Sequence, residues 1–344
     1  MSKIRCSFIN KSSKRETNFI MSNKPSFISD LSLPAIAAPM FLISGPKLVI
    51  ECCKNGIVGT FPALNQRTSE GFEEWLIEIK SALEAFERET GKKPAPFGVN
   101  LIVHQTNPRL EADIKLCIKH KVPIVITSLG AVSMVVDAIH SYGGLVFHDI
   151  IKKRHAEKAQ EAGVDGLILV AAGAGGHAGT LNPMALVAEI KKFFDKTLIL
   201  SGCISTGRDI ASALQMGADL AYMGTRFINT EESQAPEEYR EMIIEAGATD
   251  VVYTASISGV HANFLAASLK AAGLTEEDLK KDTKIDFGKE LNTEAKAWKT
   301  IWSAGQGSTS IENSLPVNQL VANLKTEFKE AVEQQAKLLE TYPK

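Results

Sequence analysis

Eight short apolar runs, each followed by a helical segment, constrain the fold of this chain more than any other feature. The runs are rich in β-branched residues and do not alternate with polar ones, which is typical of strands covered on both faces. This order predicts a parallel sheet flanked by helices. The strands are expected at residues 33–39, 56–61, 97–102, 123–128, 144–149, 166–171, 197–202 and 219–224, and helices at 71–90, 108–119, 152–162, 183–194 and 206–216.

The repetition favours a closed ring of strands over an open sheet. Gly163 and Gly217 each end a helical segment at a position that suits a left-handed residue, and a strand follows directly. Similar units repeated in this way are typical of a (β/α)8 TIM barrel. A doubly wound open sheet is the alternative, because the sequence does not show strand order.

The chain divides into three predicted parts. Residues 1–30 begin with a basic, polar stretch that lacks the apolar core of a secretory signal, and we expect a flexible arm there. Residues 31–226 are expected to form the barrel. Residues 227–344 are charged and largely helical in pattern, which predicts an appended helical segment near the barrel mouth.

Composition excludes several classes of protein. The 344 residues carry 38 Lys and Arg against 40 Asp and Glu, a formal charge of −2, so nucleic-acid binding through charge alone is not expected. Five cysteines, with Cys52 and Cys53 adjacent, do not suggest a disulfide framework. No apolar run approaches the ~20 residues of a membrane span. We expect a cytoplasmic protein with small-molecule partners, and a homodimer is compatible with this sequence.

Two consecutive loops predict a phosphate site. In a TIM barrel the reactive groups follow the carboxyl ends of the strands, and the last two loops often hold phosphate. The seventh and eighth expected strands end in small residues, at 201–202 and 223–225. Such residues let backbone N–H groups approach an anion, and the helix expected from Thr206 would direct its positive end there. The alternative is a pair of ordinary tight turns.

The loop at residues 171–180 (AAGAGGHAGT) places one histidine among glycines. It matches the dinucleotide pattern G-x-G-x-x-A, but Pro183 is the expected helix start, and the next strand lacks the terminal acid that binds ribose. Without bulky neighbours, His177 is open to a flat cofactor and a small substrate. An imidazole that titrates near neutrality suits proton abstraction from carbon. The alternative is a surface histidine in a loop.

Three further side chains near strand ends are candidate substrate contacts. His148 ends the fifth expected strand and should face the pocket, Ser128 ends the fourth, and His104 lies in the loop after the third. The sequence is equally compatible with a structural role for His148, in which hydrogen bonds hold its ring. The pair His148 and Asp149 has no further ligand nearby in the sequence, so no metal site is predicted.

Several motifs at these strand ends occur in the same order as in a known family. They are AAPM at 37–40, FGVNL at 97–101, GGHAG at 175–179, SGCI at 201–204, MGTRF at 223–227 and WSAGQG at 302–307. On these residues the chain resembles the nitronate monooxygenases, formerly called 2-nitropropane dioxygenases. Their superfamily also contains flavin-dependent enoyl-thioester reductases. The resemblance extends from Leu33 to Asn313.

The resemblance implies a TIM barrel with non-covalently bound FMN, in which His177 is the catalytic base. The implied cofactor contacts are Met40, Asn100, Gly175, Gly176, Ser201, Gly202, Met223, Gly224 and Thr225. Two positions depart from the family pattern. Val170 stands where many members carry Gln, and His261 stands where relatives often carry Arg.

The chemistry that the resemblance implies is oxidation of alkyl nitronates by O₂ to a carbonyl compound and nitrite. His177 would deprotonate a neutral nitroalkane, and protein donors would stabilise the nitronate oxygens. An NAD(P)H-dependent quinone or enoyl-thioester reductase of the same superfamily is the alternative. A phosphate-binding barrel without catalysis is a candidate from another class, and it predicts a colourless protein that tolerates His177→Ala.

Overall fold

A closed ring of eight parallel strands organises the part of the chain that the computed structural model describes, residues 24–130, 133–257, 259–281 and 301–342. The ring strands are β1 (Ala35–Ala37), β2 (Val58–Pro62), β3 (Phe97–Val103), β4 (Ile124–Leu129), β5 (Leu145–Ile150), β6 (Gly166–Val170), β8 (Thr197–Ser201) and β9 (Leu220–Met223), with β7 (Gly176–His177) outside the ring. They pair in chain order, and β9 pairs back onto β1. This ring confirms the predicted TIM barrel and excludes the open sheet.

Side chains alternate between the barrel interior and the helix layer along each ring strand. Ile126 of β4 and Phe147 of β5 pack inside the barrel, whereas Val125 and Val146 pack towards the helices. Both sides are buried, which explains why these strands read as continuous apolar runs.

Helices connect the strands on the outside of the ring. The helices are α1 (Phe27–Asp30), α2 (Pro46–Lys54), α3 (Ser69–Thr90), α4 (Leu110–His120), α5 (Ser133–His140), α6 (Lys153–Glu161), α7 (Pro183–Ile190), α8 (Gly207–Met216), α9 (Thr225–Ile228), α10 (Glu237–Glu245), α11 (Ala266–Ala271) and α12 (Val317–Thr341). Gly163 and Gly217, which follow α6 and α8, have φ of 86° and 108°, so both act as the predicted helix ends. No helix in the described ranges is long and apolar enough to cross a membrane.

The residues before β1 close the amino-terminal end of the barrel. Phe27 and Ile28 of α1, with Leu31, pack against the interior apolar cluster. The Lys24 ammonium lies 2.7 Å from the Asp219 carboxylate, just before β9. Residues 24–30 of the predicted arm are therefore packed on the barrel, and residues 1–23 of that arm lie outside the described residues.

The C-terminal part of the described chain is not only helical. Strands β10 (Val251–Thr254) and β11 (Ala262–Leu265) form an antiparallel pair, and β7 joins them in a three-stranded sheet, here called the cover sheet. Strands β10 and β11 were not predicted, because they lie outside the repeated strand-and-helix units that mark the ring strands. Helix α12 packs on α8 outside the barrel, where Glu327 Oε2 accepts a hydrogen bond from Gly207 N–H at 2.6 Å.

Candidate active site

A cavity of about 1450 Å³ opens at the carboxyl ends of the ring strands and is bounded on one side by the cover sheet. Pockets for small molecules usually occupy ~300–1000 Å³, so this one has room for a cofactor and a substrate together. No group of three or more His, Cys, Asp or Glu residues in the described ranges is placed to hold a metal ion. The predicted site residues that line the cavity are Met40, Asn100, Ser128, His148, Gly175, Gly176, His177, Ser201, Gly202, Gly224 and Thr225.

Two predicted site residues do not line the cavity. The Met223 side chain is fully buried in the core that faces the helices, and its backbone carbonyl accepts a hydrogen bond from Ala38 N–H at 2.9 Å. His104 does not line the cavity, and its Nδ1 lies 2.9 Å from Thr106 Oγ1 in the same loop. The outward position of the Met223 side chain follows from the alternation along β9, because the adjacent Tyr222 faces inward.

His148 reaches the cavity from the helix side of β5, the side that Val146 also takes. It is only 7% exposed, and its Nδ1 lies 2.8 Å from Thr127 Oγ1. Burial, with a smaller contribution from the nearby His155, lowers its pKa to about 4. The inward-facing side chain at the end of this strand is the next residue, Asp149, which the sequence analysis considered only as a metal ligand.

Main-chain pairing in the cover sheet holds the catalytic candidate His177 in place. His177 on β7 lies opposite Ala262 of β11. Just after β7, Ala178 N–H donates to the His261 carbonyl at 3.3 Å. Just before it, Asn263 Nδ2 donates to the Ala174 carbonyl at 2.6 Å. The glycine-rich loop is therefore a fixed part of a sheet in this region.

The cavity favours the uncharged imidazole of His177. The side chain is half-buried, and partial loss of water from the charged form lowers its pKa from 6.5 to about 4, below the near-neutral titration expected from the sequence. Nearby, the Tyr253 ring stacks on the His261 ring at 5.0 Å, and the Tyr253 hydroxyl donates to the Ala178 carbonyl at 3.0 Å. An uncharged imidazole beside a large cavity is able to accept a proton from a ligand.

A C-terminal loop packs directly on the glycine-rich loop. A Cβ atom at Gly175 would lie 2.8 Å from Gly305 N, so only glycine permits this approach. Gly305 N–H donates to Thr225 Oγ1 at 2.9 Å, and Gln306 N–H donates to the Gly173 carbonyl at 2.9 Å. The late WSAGQG motif thus connects the loop of His177 with the loop after β9.

The loops after β8 and β9 fit a phosphate group. Gly202 has a φ of 124°, a left-handed conformation that suits glycine, and both Gly202 and Gly224 line the cavity. Ser205 also lines it, and its buried hydroxyl has no hydrogen-bond partner among the described residues. A buried hydroxyl without a partner is costly, and a phosphate oxygen would supply the missing acceptor. These residues fit the phosphate of the FMN that the resemblance implies.

The sequence predicted that the positive, amino-terminal end of α8 faces a phosphate. In the structure this helix end is bonded to carboxylates of the chain itself. The Asp209 carboxylate accepts hydrogen bonds from Ser205 N–H and Thr206 N–H, each at 2.9 Å. The Glu327 carboxylate accepts a third from Gly207 N–H. Two carboxylates of the chain itself therefore occupy this helix end. The donors left for an anion are those of the loops and the Ser205 hydroxyl.

Hydrogen bonds join inward-facing side chains of three neighbouring strands. Asn100 Nδ2 on β3 donates to Ser128 Oγ on β4 at 2.8 Å, and the Ser128 hydroxyl donates to Asp149 Oδ2 on β5. Burial raises the pKa of Asp149 to about 6, although the Ser128 hydrogen bond opposes this rise. Asp149 was not predicted as a site residue, because the apolar run of β5 is buried on both faces and does not show which of its end residues faces inward.

An aromatic pair forms part of the cavity wall. The rings of Tyr239 and Trp302 stack at 4.9 Å with planes 8° apart, and both side chains line the cavity. The Tyr239 hydroxyl donates to the Ser303 carbonyl, and Trp302 N–H donates to Ser268 Oγ at 2.6 Å. The wall is thus held in place by polar bonds outside the stacked faces.

Comparison with known proteins identifies the family. The nitronate monooxygenase family model matches residues 106–327, more than half of the chain. A nitronate monooxygenase of Paraburkholderia phytofirmans is 27% identical over 355 aligned residues, which cover 88% of this chain and 93% of that protein.

Two further comparisons extend the likeness. A (3aS,4S,5R,7aS)-5-hydroxy-7a-methyl-1-oxo-octahydro-1H-indene-4-carboxyl-CoA dehydrogenase of Rhodococcus jostii is 26% identical over 227 residues, 66% of this chain and 61% of that protein. The solved structure of a FabK mutant from Thermotoga maritima superposes with a TM-score of 0.72 at 25% identity, covering 90% of this chain and 97% of that one. With the family model matched over most of the barrel, the chain belongs to the nitronate monooxygenase family.

Proposed function

We propose that this oxidoreductase binds FMN in the cavity and oxidises alkyl nitronates with O₂ to a carbonyl compound and nitrite. The observation that carries the proposal is His177, an uncharged imidazole fixed by main-chain pairing at the edge of a cavity large enough for FMN and a substrate. Membership of the nitronate monooxygenase family supports the same reaction.

The residues present suit FMN at two places. The Ser205 hydroxyl and the backbone at Gly202 and Gly224 would hold the phosphate, and Met40 and Asn100 would lie near the flavin ring. When bound, FMN supplies the electron acceptor that amino-acid side chains lack. The protein itself contributes orientation, a proton acceptor and hydrogen-bond donors.

In this proposal His177 removes the α-proton of a neutral nitroalkane. This step needs the uncharged imidazole, and burial keeps that form dominant down to a pH of about 4. A nitronate that enters already ionised does not need the step. The cover sheet and the stacked pair of Tyr239 and Trp302 form parts of the wall of the cavity that His177 lines.

A reductase that uses NAD(P)H is the second candidate, and the size of the cavity favours it. At about 1450 Å³ the cavity exceeds the ~1000 Å³ upper range of ordinary ligand pockets, whereas a small nitronate fills little space beside a cofactor. The CoA-ester dehydrogenase of Rhodococcus jostii shows that a relative is named for a much larger substrate.

One experiment separates the two candidates. Purified protein loaded with FMN is mixed with ethyl nitronate in air, and with NADH or NADPH under anaerobic conditions. We expect oxygen uptake and nitrite formation with the nitronate in the absence of any nicotinamide. Anaerobic bleaching of the flavin by NADH or NADPH, without oxygen uptake on nitronate, would instead establish the reductase.

The His177→Gln variant tests the assigned base. We expect turnover of neutral nitroethane to fall by about 10²–10⁴-fold, the usual contribution of a general base, while turnover of ethyl nitronate changes only slightly. Oxygen uptake measures both. His261→Gln is the matched control, because His261 lines the same cavity and the proposal gives it no proton to carry. An equal loss on both substrates would show that His177 binds substrate without acting as the base.

A further inference from the structure

We propose that Asp149 is a second substrate-contacting residue, a neutral carboxylic acid that donates a hydrogen bond to the anionic group of the substrate. The proposal rests on the proposed function, in which the substrate becomes a nitronate anion. Asp149 lines the cavity from the end of β5, and His177 lines it from the loop after the adjacent strand β6. The two side chains therefore face one cavity from the carboxyl-terminal sides of two adjacent ring strands.

The hydrogen bonds around Asp149 run in one direction. Asn100 Nδ2 lies 2.8 Å from Ser128 Oγ and 3.4 Å from the Ile126 carbonyl, so the amide nitrogen faces two acceptors. An amide nitrogen only donates, so Ser128 Oγ accepts from Asn100. The single Ser128 proton is then directed at Asp149 Oδ2. Asn100 and Ser128 thus orient the carboxyl group.

One hydrogen bond is too little to stabilise an ionised carboxylate in this place. Asp149 Oδ1 is buried and has no hydrogen-bond partner among the described residues. A buried charge needs compensation by donors or by an opposite charge. Within the described part of the cavity lining, Lys158 on α6 is the single Lys or Arg side chain, and its helix meets the cavity on the side of His148, away from the inward face of β5.

Other titratable side chains line the same cavity. The Asp149 charge contributes to raising the pKa of Tyr222, which faces inward from β9. His177 on β7, Tyr253 on β10 and His261 before β11 line the same cavity from the cover sheet. Burial holds His177 in its uncharged form, so it does not compensate a carboxylate.

An anion that enters the cavity increases the preference of Asp149 for its neutral form. Two negative charges in one desolvated site repel each other, whereas a carboxylic acid and an anion share a proton in a strong hydrogen bond. A neutral acid that serves as a donor to an oxyanion needs a raised pKa at neutral pH, and burial has that effect here. Anion binding and proton uptake by Asp149 should therefore be linked.

Nitrate is a suitable probe, because it is a planar anion with the O–N–O edge of a nitronate and does not titrate or react. Its binding to the FMN-loaded protein is measured by calorimetry from about pH 5.5 to 8.5, in buffers of different ionisation enthalpy. We expect the wild-type Kd to rise about tenfold per pH unit above the pKa of Asp149, with uptake of about one proton per nitrate.

Substitutions test whether Asp149 is the group that takes up a proton when nitrate binds. Asp149→Asn keeps a donor and should bind nitrate with a Kd that no longer depends on pH. Asp149→Ala should bind at least about tenfold more weakly at low pH, since it removes the donor. In Ser128→Ala the loss of affinity should begin at a higher pH, because the Ser128 hydrogen bond lowers the pKa of Asp149. His177→Gln should leave the proton uptake in place.

Two results would overturn the proposal. Tighter nitrate binding by both Asp149→Asn and Asp149→Ala would mean that the native group is an ionised, repelling carboxylate. Loss of the proton uptake in His177→Gln, with its retention in Asp149→Asn, would assign the proton to the imidazole. Nitrate is not turned over, so these outcomes are independent of whether the protein oxidises nitronates.

Discussion

At the scale of single residues, the side of a strand on which a residue falls decides whether it faces the barrel interior or the helix layer. Asp149 faces inward and His148 faces the helices, although they are adjacent at the end of β5 and both line the cavity. The same rule places Tyr222 in the cavity and Met223 outside it. The strand ends could be predicted from apolar runs, but the inward side could not, because runs buried on both faces carry no alternation.

The pKa of His177 gives a prediction at this scale. Burial lowers it to about 4, so the proton-accepting form persists as the pH falls through 6.5 and is lost only near the lowered value. We expect kcat/KM for neutral nitroethane, measured by oxygen uptake, to keep its base-dependent plateau well below pH 6.5. The same pH profile measured in Asp149→Asn separates the titration of Asp149 from that of His177. A decline centred on 6.5 would contradict the lowered pKa of the half-buried imidazole.

At the scale of elements, the cover sheet holds the loop that carries His177, which the barrel strands do not do. Pairing of β7 with β11 fixes the loop of His177, and β10 completes the sheet. The sequence predicted the ring strands because they recur as apolar runs in a repeated strand-and-helix order. Strands β7, β10 and β11 have two to four residues and lie outside that repeat, and the pairing of β7 with β11 joins residues some 85 positions apart.

The Asn263→Ala variant tests this element. It removes the donor to the buried Ala174 carbonyl, so we expect the free energy of unfolding to fall by about 1–3 kcal/mol. Turnover of neutral nitroethane should fall as well, because the loop of His177 loses one of its attachments. Urea unfolding and oxygen uptake measure the two effects.

Asn182→Ala is the control for Asn263→Ala. The Asn182 side chain accepts Met184 N–H at 2.9 Å in an exposed cap of α7, and its loss should cost no more than about 1 kcal/mol. Turnover in this variant should equal that of the wild type. If Asn263→Ala retained full turnover, the attachment at Ala174 would have no part in placing the base.

At the scale of the whole molecule, distant C-terminal residues complete a site that the barrel begins. Gly305 packs on Gly175, and α12 packs on α8, the helix that follows the loop after β8. The resemblance of the WSAGQG motif to a family element indicated that this segment mattered. Its position could not be predicted, because close packing between glycines leaves no periodic signal in the sequence.

Gly207→Ala tests the attachment of α12. A Cβ atom there would lie 2.1 Å from the Leu324 carbonyl oxygen and 2.4 Å from Phe328 N, so the α12 backbone has to move away. We expect a loss of about 1–3 kcal/mol in the free energy of unfolding, and weaker retention of FMN. Urea unfolding and flavin fluorescence on dilution measure these.

Ser212→Ala is the control on the same helix. Ser212 is exposed, and its hydroxyl donates to the Arg208 carbonyl within α8. We expect a change within about 0.5 kcal/mol and normal FMN retention. Equal unfolding midpoints for Gly207→Ala and Ser212→Ala would show that the close approach of α12 adds nothing to stability.

The pairing of β9 with β1 has a consequence for the order of events on the ribosome. All eight ring strands have been synthesised once Met223 has been added, but the partner of β7 ends at Leu265 and the loop around Gly305 comes later still. A nascent chain therefore possesses every strand of its scaffold before it possesses the segments that immobilise its imidazole. Translation thereby produces the framework before the segments that complete the cavity.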